Sequence, residues 1–112
     1  MLGVDVVDIE RLRKTFERFP QLEDRLFNDE ERNYCRSFPD PIERFAGTLA
    51  AKEAVIKALR LGPLVAWAQR IEITRAEGGE PTARVRGGGA DREVNVSISH
   101  DGPVAVAVAL SP

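Results

Sequence analysis

From about Ile42 to Leu61 the sequence holds one register: Ile42, Phe45, Ala46, Leu49, Ile56 and Leu59 or Arg60 return at the 3.6-residue period of an α-helix. This is the longest periodic stretch, so it predicts a central helix against which the remaining elements must pack. Beyond Gly62-Pro63 the period changes to two. Ile71 to Arg75 and Thr82 to Arg86 flank a Gly78-Gly79-Glu80-Pro81 turn and read as a β-hairpin. Gly87-Gly88-Gly89 reads as a flexible break. Val94, Val96 and Ile98 then alternate with Asn95, Ser97 and Ser99, and a turn at His100-Asp101-Gly102-Pro103 leads into Val104 to Leu110. In that last strand valines alternate with alanines, and an alanine face demands a close-packed cover. Upstream, Met1 to Val7 reads as a strand carrying Asp5 in its middle. Asp8 is placed to cap a helix through Ile9, Leu12, Phe16 and Phe19 that Pro20 ends, and a short helix runs from near Asn28 through Tyr34. The order β-α-α-α-β-β-β-β predicts an α+β fold, an antiparallel sheet covered by the central helix.

The 112 residues are expected to form one domain, small enough that self-association would be a natural source of further buried area. Hydrophobic residues at 43% and charged residues at 30% suit a globular protein, and no apolar run is long enough to span a membrane. Met1 to Asp8 lacks the pattern of a secretion signal, and the single Cys35, expected half-buried on a helix, can form neither an internal disulfide nor a multi-thiolate metal site. Both point to the cytoplasm. A net charge of −2 argues against nucleic acid as a partner. Arginines nonetheless crowd the first third, interleaved with acids as on an ordinary solvated helix face.

Two acidic residues stand out. On a wheel of about 100° per residue with Leu49 at zero, Ile42 falls near +20°, Phe45 near −40°, Ile56 near −20° and Glu53 near +40°. Glu53 is therefore expected to face the core, where an ionised carboxylate needs a cation, a hydrogen-bond network or a metal. Asp5 sits mid-strand between Val4 and Val6, with Gly3 leaving space beside it. The pair could hold a hard divalent cation, since magnesium takes one or two protein carboxylates and completes its shell with waters and phosphates. Lys57 would add positive charge for phosphate oxygens. An exposed i,i+4 Glu53–Lys57 ion pair, contributing about 0.3–0.5 kcal/mol, is the simpler account. The residues alone reach a metal–phosphate site and no farther. His100, the sole histidine, sits at a turn; the adjacent serines lack a nucleophile elbow, and the triple glycine matches neither a Walker loop nor a dinucleotide fingerprint.

Three segments together resemble the holo-acyl-carrier-protein synthases of the 4′-phosphopantetheinyl transferase superfamily. They are the opening Gly3-Val4-Asp5-Val6-Val7-Asp8-Ile9-Glu10-Arg11, the helix Phe45 to Leu59 with its Lys52-Glu53-Ala54-Val55-Ile56-Lys57, and the closing Val96-Ser97-Ile98-Ser99-His100. The resemblance implies transfer of phosphopantetheine from coenzyme A to a carrier-protein serine. It implies Asp5 and Glu53 as magnesium ligands, Glu53 and Lys57 as catalytic groups, and Lys57, Ser99, His100, Arg44 and Gly62 around coenzyme A. It implies Arg11, with Arg18 and Arg25 following at sevens, as the docking face for an acyl carrier protein, and a homotrimer with coenzyme A bound between subunits. Two departures from the family pattern alter the cofactor cleft: Thr48 stands where an arginine is usual, and Arg60 where a glycine is usual. Arg44 and Arg60 are the candidates to replace the missing charge. Two other functions use the same residues, a magnesium-dependent pyrophosphate or nucleotide hydrolase and a non-catalytic carrier-binding module.

Overall fold

The computed structural model describes residues 1–87 and 89–112; Gly88, part of the expected glycine break, lies outside them. Strand β1 (Leu2–Asp8) leads into α1 (Ile9–Arg18), and Asp8 caps that helix by accepting the Arg11 N–H at 3.0 Å. Ile9, Leu12 and Phe16 form its buried stripe. After Pro20 comes α2 (Leu22–Leu26), a helix the sequence reading left out: its N-cap Gln21 makes no side-chain bond, so no capping signal marks it. Helix α3 (Asp29–Arg36) begins with a complete capping box, Asn28 accepting from the Glu31 N–H while Glu31 accepts from the Asn28 N–H, both at 2.8 Å. The central helix α4 (Pro41–Leu59) starts with proline in its first turn and ends at Arg60, which takes the left-handed conformation, φ 54°, at the C-cap. A four-residue helix, α5 (Leu64–Trp67), and a 3₁₀ turn lead to β2 (Ile71–Arg75), β3 (Pro81–Val85), β4 (Arg92–Asp101) and β5 (Val104–Leu110).

The expected α+β class is borne out. The five strands form one sheet in the order β1-β5-β4-β3-β2, each neighbouring pair antiparallel. Strand β4 is shared, its start pairing with β3 and its remainder, from Asn95, with β5. His100 therefore lies within β4, opposite Ala105, rather than in the turn; Gly102, at φ 56°, and Pro103 make the turn itself.

Helix α4 covers β1, β5 and β4 closely because both surfaces are small. Ala107 and Ala109 of β5 are buried beneath Ala50, Ala51, Ala54 and Ala58, and Ala105 is buried with Phe45 and Ala46. A Cβ on Gly3 would stand 2.0 Å from the Ala54 carbonyl oxygen, so only glycine permits this approach of β1 to the helix. The phase of the wheel is corrected accordingly. The buried arc of α4 is the alanine side with Phe45, Gly47, Thr48, Lys52 and Val55, whereas Ile42, Leu49, Glu53 and Ile56 lie on the less buried side and Lys57 is exposed. A second core under α1 and α3 packs Phe16, Phe27 and Phe45, with centroids 5.7 Å apart for Phe16–Phe45 and 4.8 Å for Phe27–Phe45. Cys35 is fully buried there, rather than half-buried, and burial pushes its thiol up to about 11. Among the described residues no helix is long and apolar enough to cross a membrane.

Candidate active site

Alternation along β1 turns Asp5 to one side of the sheet edge, and α4, held against β1 through Gly3, brings Lys57 over it. The Lys57 ammonium donates to Asp5 Oδ1 at 2.7 Å and to the Val4 carbonyl at 3.2 Å. The carboxylate of Asp5 is largely covered while Lys57 stays half in solvent. Its ion-pair partner among the described residues is thus Asp5, four-residue spacing notwithstanding, and the simple Glu53–Lys57 pair is not formed. The hydrogen bond to Asp5 and its charge raise the affinity of Lys57 for its proton. Partial burial, then the negative charge of Asp5, hold the Glu53 carboxyl above its ordinary range, with Lys57 opposing them. Two carboxylates that repel one another, with a single ammonium shared between them, make an arrangement a divalent cation would relieve. No group of three or more metal-binding side chains occurs among the described residues. A cation at Asp5 and Glu53 would therefore draw most of its shell from water and substrate, as magnesium does at phosphate sites.

Ser99, His100 and Arg44 meet elsewhere. They line a cleft of about 370 Å³ with Tyr34, Glu43 and Arg75, floored by Gly47 and Ile98 and bounded by the Gly78-Gly79 turn. His100 Nδ1 lies 3.2 Å from Glu43 Oε1. Asp5, Glu53 and Lys57 are not part of this lining. Nine helical residues separate Arg44 from Glu53, a rotation of about 180°, so the cleft and the carboxylates lie on opposite sides of α4. Gly62 belongs to neither; a Cβ there would stand 3.2 Å from the Trp67 indole nitrogen. Arg60 is occupied with ending the helix, its N–H bonding to the Ile56 and Lys57 carbonyls.

The arginines divide into two sets. Arg13 pairs with Glu10 and Asp40, Arg32 with Asp24 and Asp29, and Arg36 with Glu23. Arg11, Arg18 and Arg25 are exposed and have no carboxylate partner among the described residues, with Arg11 and Arg18 on one face of α1 and Arg25 on α2.

Two features escaped the sequence reading. Arg75 and Tyr34 reach the cleft from β2 and α3, elements far apart in sequence, and no local pattern announces them. The other is a buried ion pair behind the site. Lys52, wholly inaccessible, donates to Glu31 Oε1 at 2.8 Å and to the Leu26 and Ala68 carbonyls at 2.7 Å each, while Glu31 Oε2 accepts from the Ile73 N–H at 2.8 Å. Burial draws the Lys52 pKa down and Glu31 pulls it back up. The asparagine-to-glutamate spacing of the α3 capping box was the available signal for Glu31.

The sequence matches the family model of the 4′-phosphopantetheinyl transferase superfamily over residues 1–109. The chain belongs to this superfamily. Among its relatives, the holo-[acyl-carrier-protein] synthase of Chlorobaculum tepidum is 40% identical, with 97% of this chain and 95% of the relative aligned. That of Moorella thermoacetica is 41% identical, covering 96% and 90%. The fold matches the crystal structure of the Helicobacter pylori holo-[acyl-carrier-protein] synthase in complex with coenzyme A, with a TM-score of 0.85, 29% identity and 98% of each chain covered. The Bacillus anthracis synthase, solved with CoA (3′,5′-ADP), gives a TM-score of 0.79 at 29% identity, covering 96% and 91%. Within the superfamily, all three segments that prompted the resemblance fall inside the matched region.

Proposed function

We propose that this chain is a holo-acyl-carrier-protein synthase, transferring 4′-phosphopantetheine from coenzyme A to the serine of an apo acyl carrier protein and releasing 3′,5′-ADP. The observation that carries the reading is the convergence of Asp5, Glu53 and Lys57, from a strand and a helix remote in sequence, in a chain whose superfamily membership covers residues 1–109. The carrier serine attacks the β-phosphorus, giving up its hydroxyl proton to Glu53 or to a water, and the bond to the bridging oxygen breaks with 3′,5′-ADP as the leaving group. Asp5 and Glu53 would hold magnesium, which when bound supplies positive charge to the pyrophosphate. Lys57, beside Asp5, would offset charge on the departing 3′,5′-ADP. The chain contributes positioning and electrostatics rather than a covalent nucleophile.

The separation of cleft from carboxylates supports a site shared between copies. Leu2, Val4, Val6, Val108 and Leu110 form an apolar sheet face opposite α4, each at least 40% exposed. A face of this kind suits burial in a homotrimer, with the cleft of one copy set beside the carboxylates of the next and coenzyme A running between them. The unpaired Arg11, Arg18 and Arg25 would meet the acidic carrier protein, and the free buried Cys35 suits a reducing cytoplasm. The test is release of 3′,5′-ADP from coenzyme A with magnesium. Release only when apo carrier is present supports the transferase; release without carrier favours the hydrolase, and none in either case favours a binding module.

A further inference from the structure

A buried carboxylate stands one layer beneath the cleft wall. Strand β2 is an edge of the sheet, and its N–H at Ile73, buried and turned away from β3, is met by Glu31 Oε2 at 2.8 Å. Glu31 Oε1 accepts from the Asn28 N–H at the start of α3 and from the Lys52 ammonium on α4, both at 2.8 Å. One side chain thus fastens three elements at a single point, and Lys52 is itself held there by the Leu26 and Ala68 carbonyls. From that point each element carries a same-facing residue to the next layer. Tyr34 follows Glu31 by three residues on α3, Arg75 follows Ile73 by two on β2, and Thr48 precedes Lys52 by one turn on α4. These three also meet. Arg75 Cζ lies 4.8 Å from the Tyr34 ring centroid, and Arg75 donates to the Thr48 hydroxyl at 3.4 Å. Tyr34 and Arg75 line the cleft, whereas Glu31, Ile73 and Lys52 do not.

Resting on the transferase reading, in which coenzyme A occupies this cleft, we infer that Glu31 is a positioning residue whose bridge between α3 and β2 sets Tyr34 against Arg75 and so fixes the width of the cleft. Glu31 touches no substrate and acts through those two side chains. Among the described residues no buried side-chain nitrogen or oxygen lacks a partner, and a polar network satisfied on every side specifies one geometry. The spacing of α3 and β2 is therefore set before the ligand arrives. That preorganisation bears on coenzyme A affinity rather than on the chemical step, because Asp5, Glu53 and Lys57 lie outside the cleft lining.

The test compares Glu31→Asp with the wild-type protein. Aspartate keeps a carboxylate for the buried Lys52 ammonium but is one methylene too short to span from α3 to the Ile73 N–H. Calorimetry with coenzyme A should show Kd raised roughly 10-fold, the scale of a displaced binding wall. Steady-state kinetics should show a parallel rise in KM for coenzyme A, with kcat and the KM for carrier changed by less than about twofold. Val94→Ala, which opens the sheet core away from the cleft, is the control that loses stability and should keep its coenzyme A affinity. Because Glu31 acts through the cleft wall, Arg75→Ala already forfeits what Glu31 supplies, and Arg75→Ala/Glu31→Asp should bind within about twofold of Arg75→Ala alone. Unchanged affinity in Glu31→Asp, an equal loss in Val94→Ala, or full additivity with Arg75→Ala overturns the inference. If the wild-type protein binds coenzyme A and Glu31→Asp weakens that binding as stated, yet nothing is transferred to a carrier, the inference stands and the transferase reading falls. A folded wild-type protein that does not bind coenzyme A overturns both.

Discussion

Replacing Lys52 by methionine should be the most damaging conservative change in the molecule. The methionine fills a similar volume, so packing is largely kept and the loss is electrostatic. The three N–H groups of the ammonium meet three acceptors, Glu31 and the Leu26 and Ala68 carbonyls, and the side chain is wholly buried. Removing it strands the Glu31 carboxylate without its counter-charge and leaves two carbonyls unpaired. Breaking a buried pair from one side costs about 3–5 kcal/mol, a large fraction of the roughly 5–15 kcal/mol that holds a domain folded. At about 4 °C per kcal/mol for a chain of this size, the melting temperature should fall by roughly 12–20 °C. Circular dichroism at fixed protein concentration measures the shift, since self-association would otherwise move it. Glu31→Gln, which removes the charge and keeps one of the two oxygens that accept the Asn28 and Ile73 N–H groups, completes a double-mutant cycle. Lys52→Met/Glu31→Gln should be less destabilised than the sum of the single changes by at least about 1 kcal/mol. A fall below about 4 °C for Lys52→Met, or strict additivity, would refute the reasoning.

Further consequences concern catalysis, docking, pH and the helix end. Glu53→Gln should lower transfer at least about 10–100-fold with the fold intact, measured by initial rates at saturating magnesium; full activity would remove Glu53 from the metal site. Arg11→Glu should raise the carrier concentration needed for half-maximal rate and leave coenzyme A binding nearly unchanged, which steady-state kinetics with each substrate varied would show. The fold keeps Cys35 protonated to about 11 from an ordinary 9.0, so the folded state binds the extra proton in that interval. Its contribution is present in full below pH 9 and is lost as pH rises through 11, about 2–3 kcal/mol in all. Urea midpoints across that range should fall more steeply for the wild-type protein than for Cys35→Ala. Arg60→Gly should raise stability by about 1 kcal/mol in the same assay, because glycine takes the left-handed C-cap without the Cβ penalty.

Much of this architecture was readable from period alone. The central helix and the two hairpins appear within a few residues of their expected positions because 3.6-residue and two-residue repeats run long there. The short α2 and α5 helices, five and four residues long, span little more than one turn and have no side-chain cap, and so left no signal. The phase of α4 was misread for a physical reason: bulk was taken as the mark of the core. The sheet beneath this helix presents Gly3 and three alanines, so only small residues fit between, and the larger Leu49 and Ile56 are displaced to the open side. Glu53 consequently sits beside Lys57 and Asp5 at a partly open edge rather than deep in the core. Asp5 was legible because an acid amid strand valines is anomalous wherever it occurs. Arg75 and the Lys52–Glu31 pair depend on contacts between distant segments, which no local pattern encodes.

The most direct measurement is intact-mass spectrometry of an apo acyl carrier protein incubated with this protein, coenzyme A and magnesium, beside a chelator control and the Glu53→Gln variant. The account predicts a gain of one phosphopantetheine mass on the carrier with the wild-type protein, lost with chelator and strongly slowed in the variant. A folded wild-type protein that leaves several apo carriers unmodified, or one whose transfer is unaffected by both chelator and substitution, would contradict it.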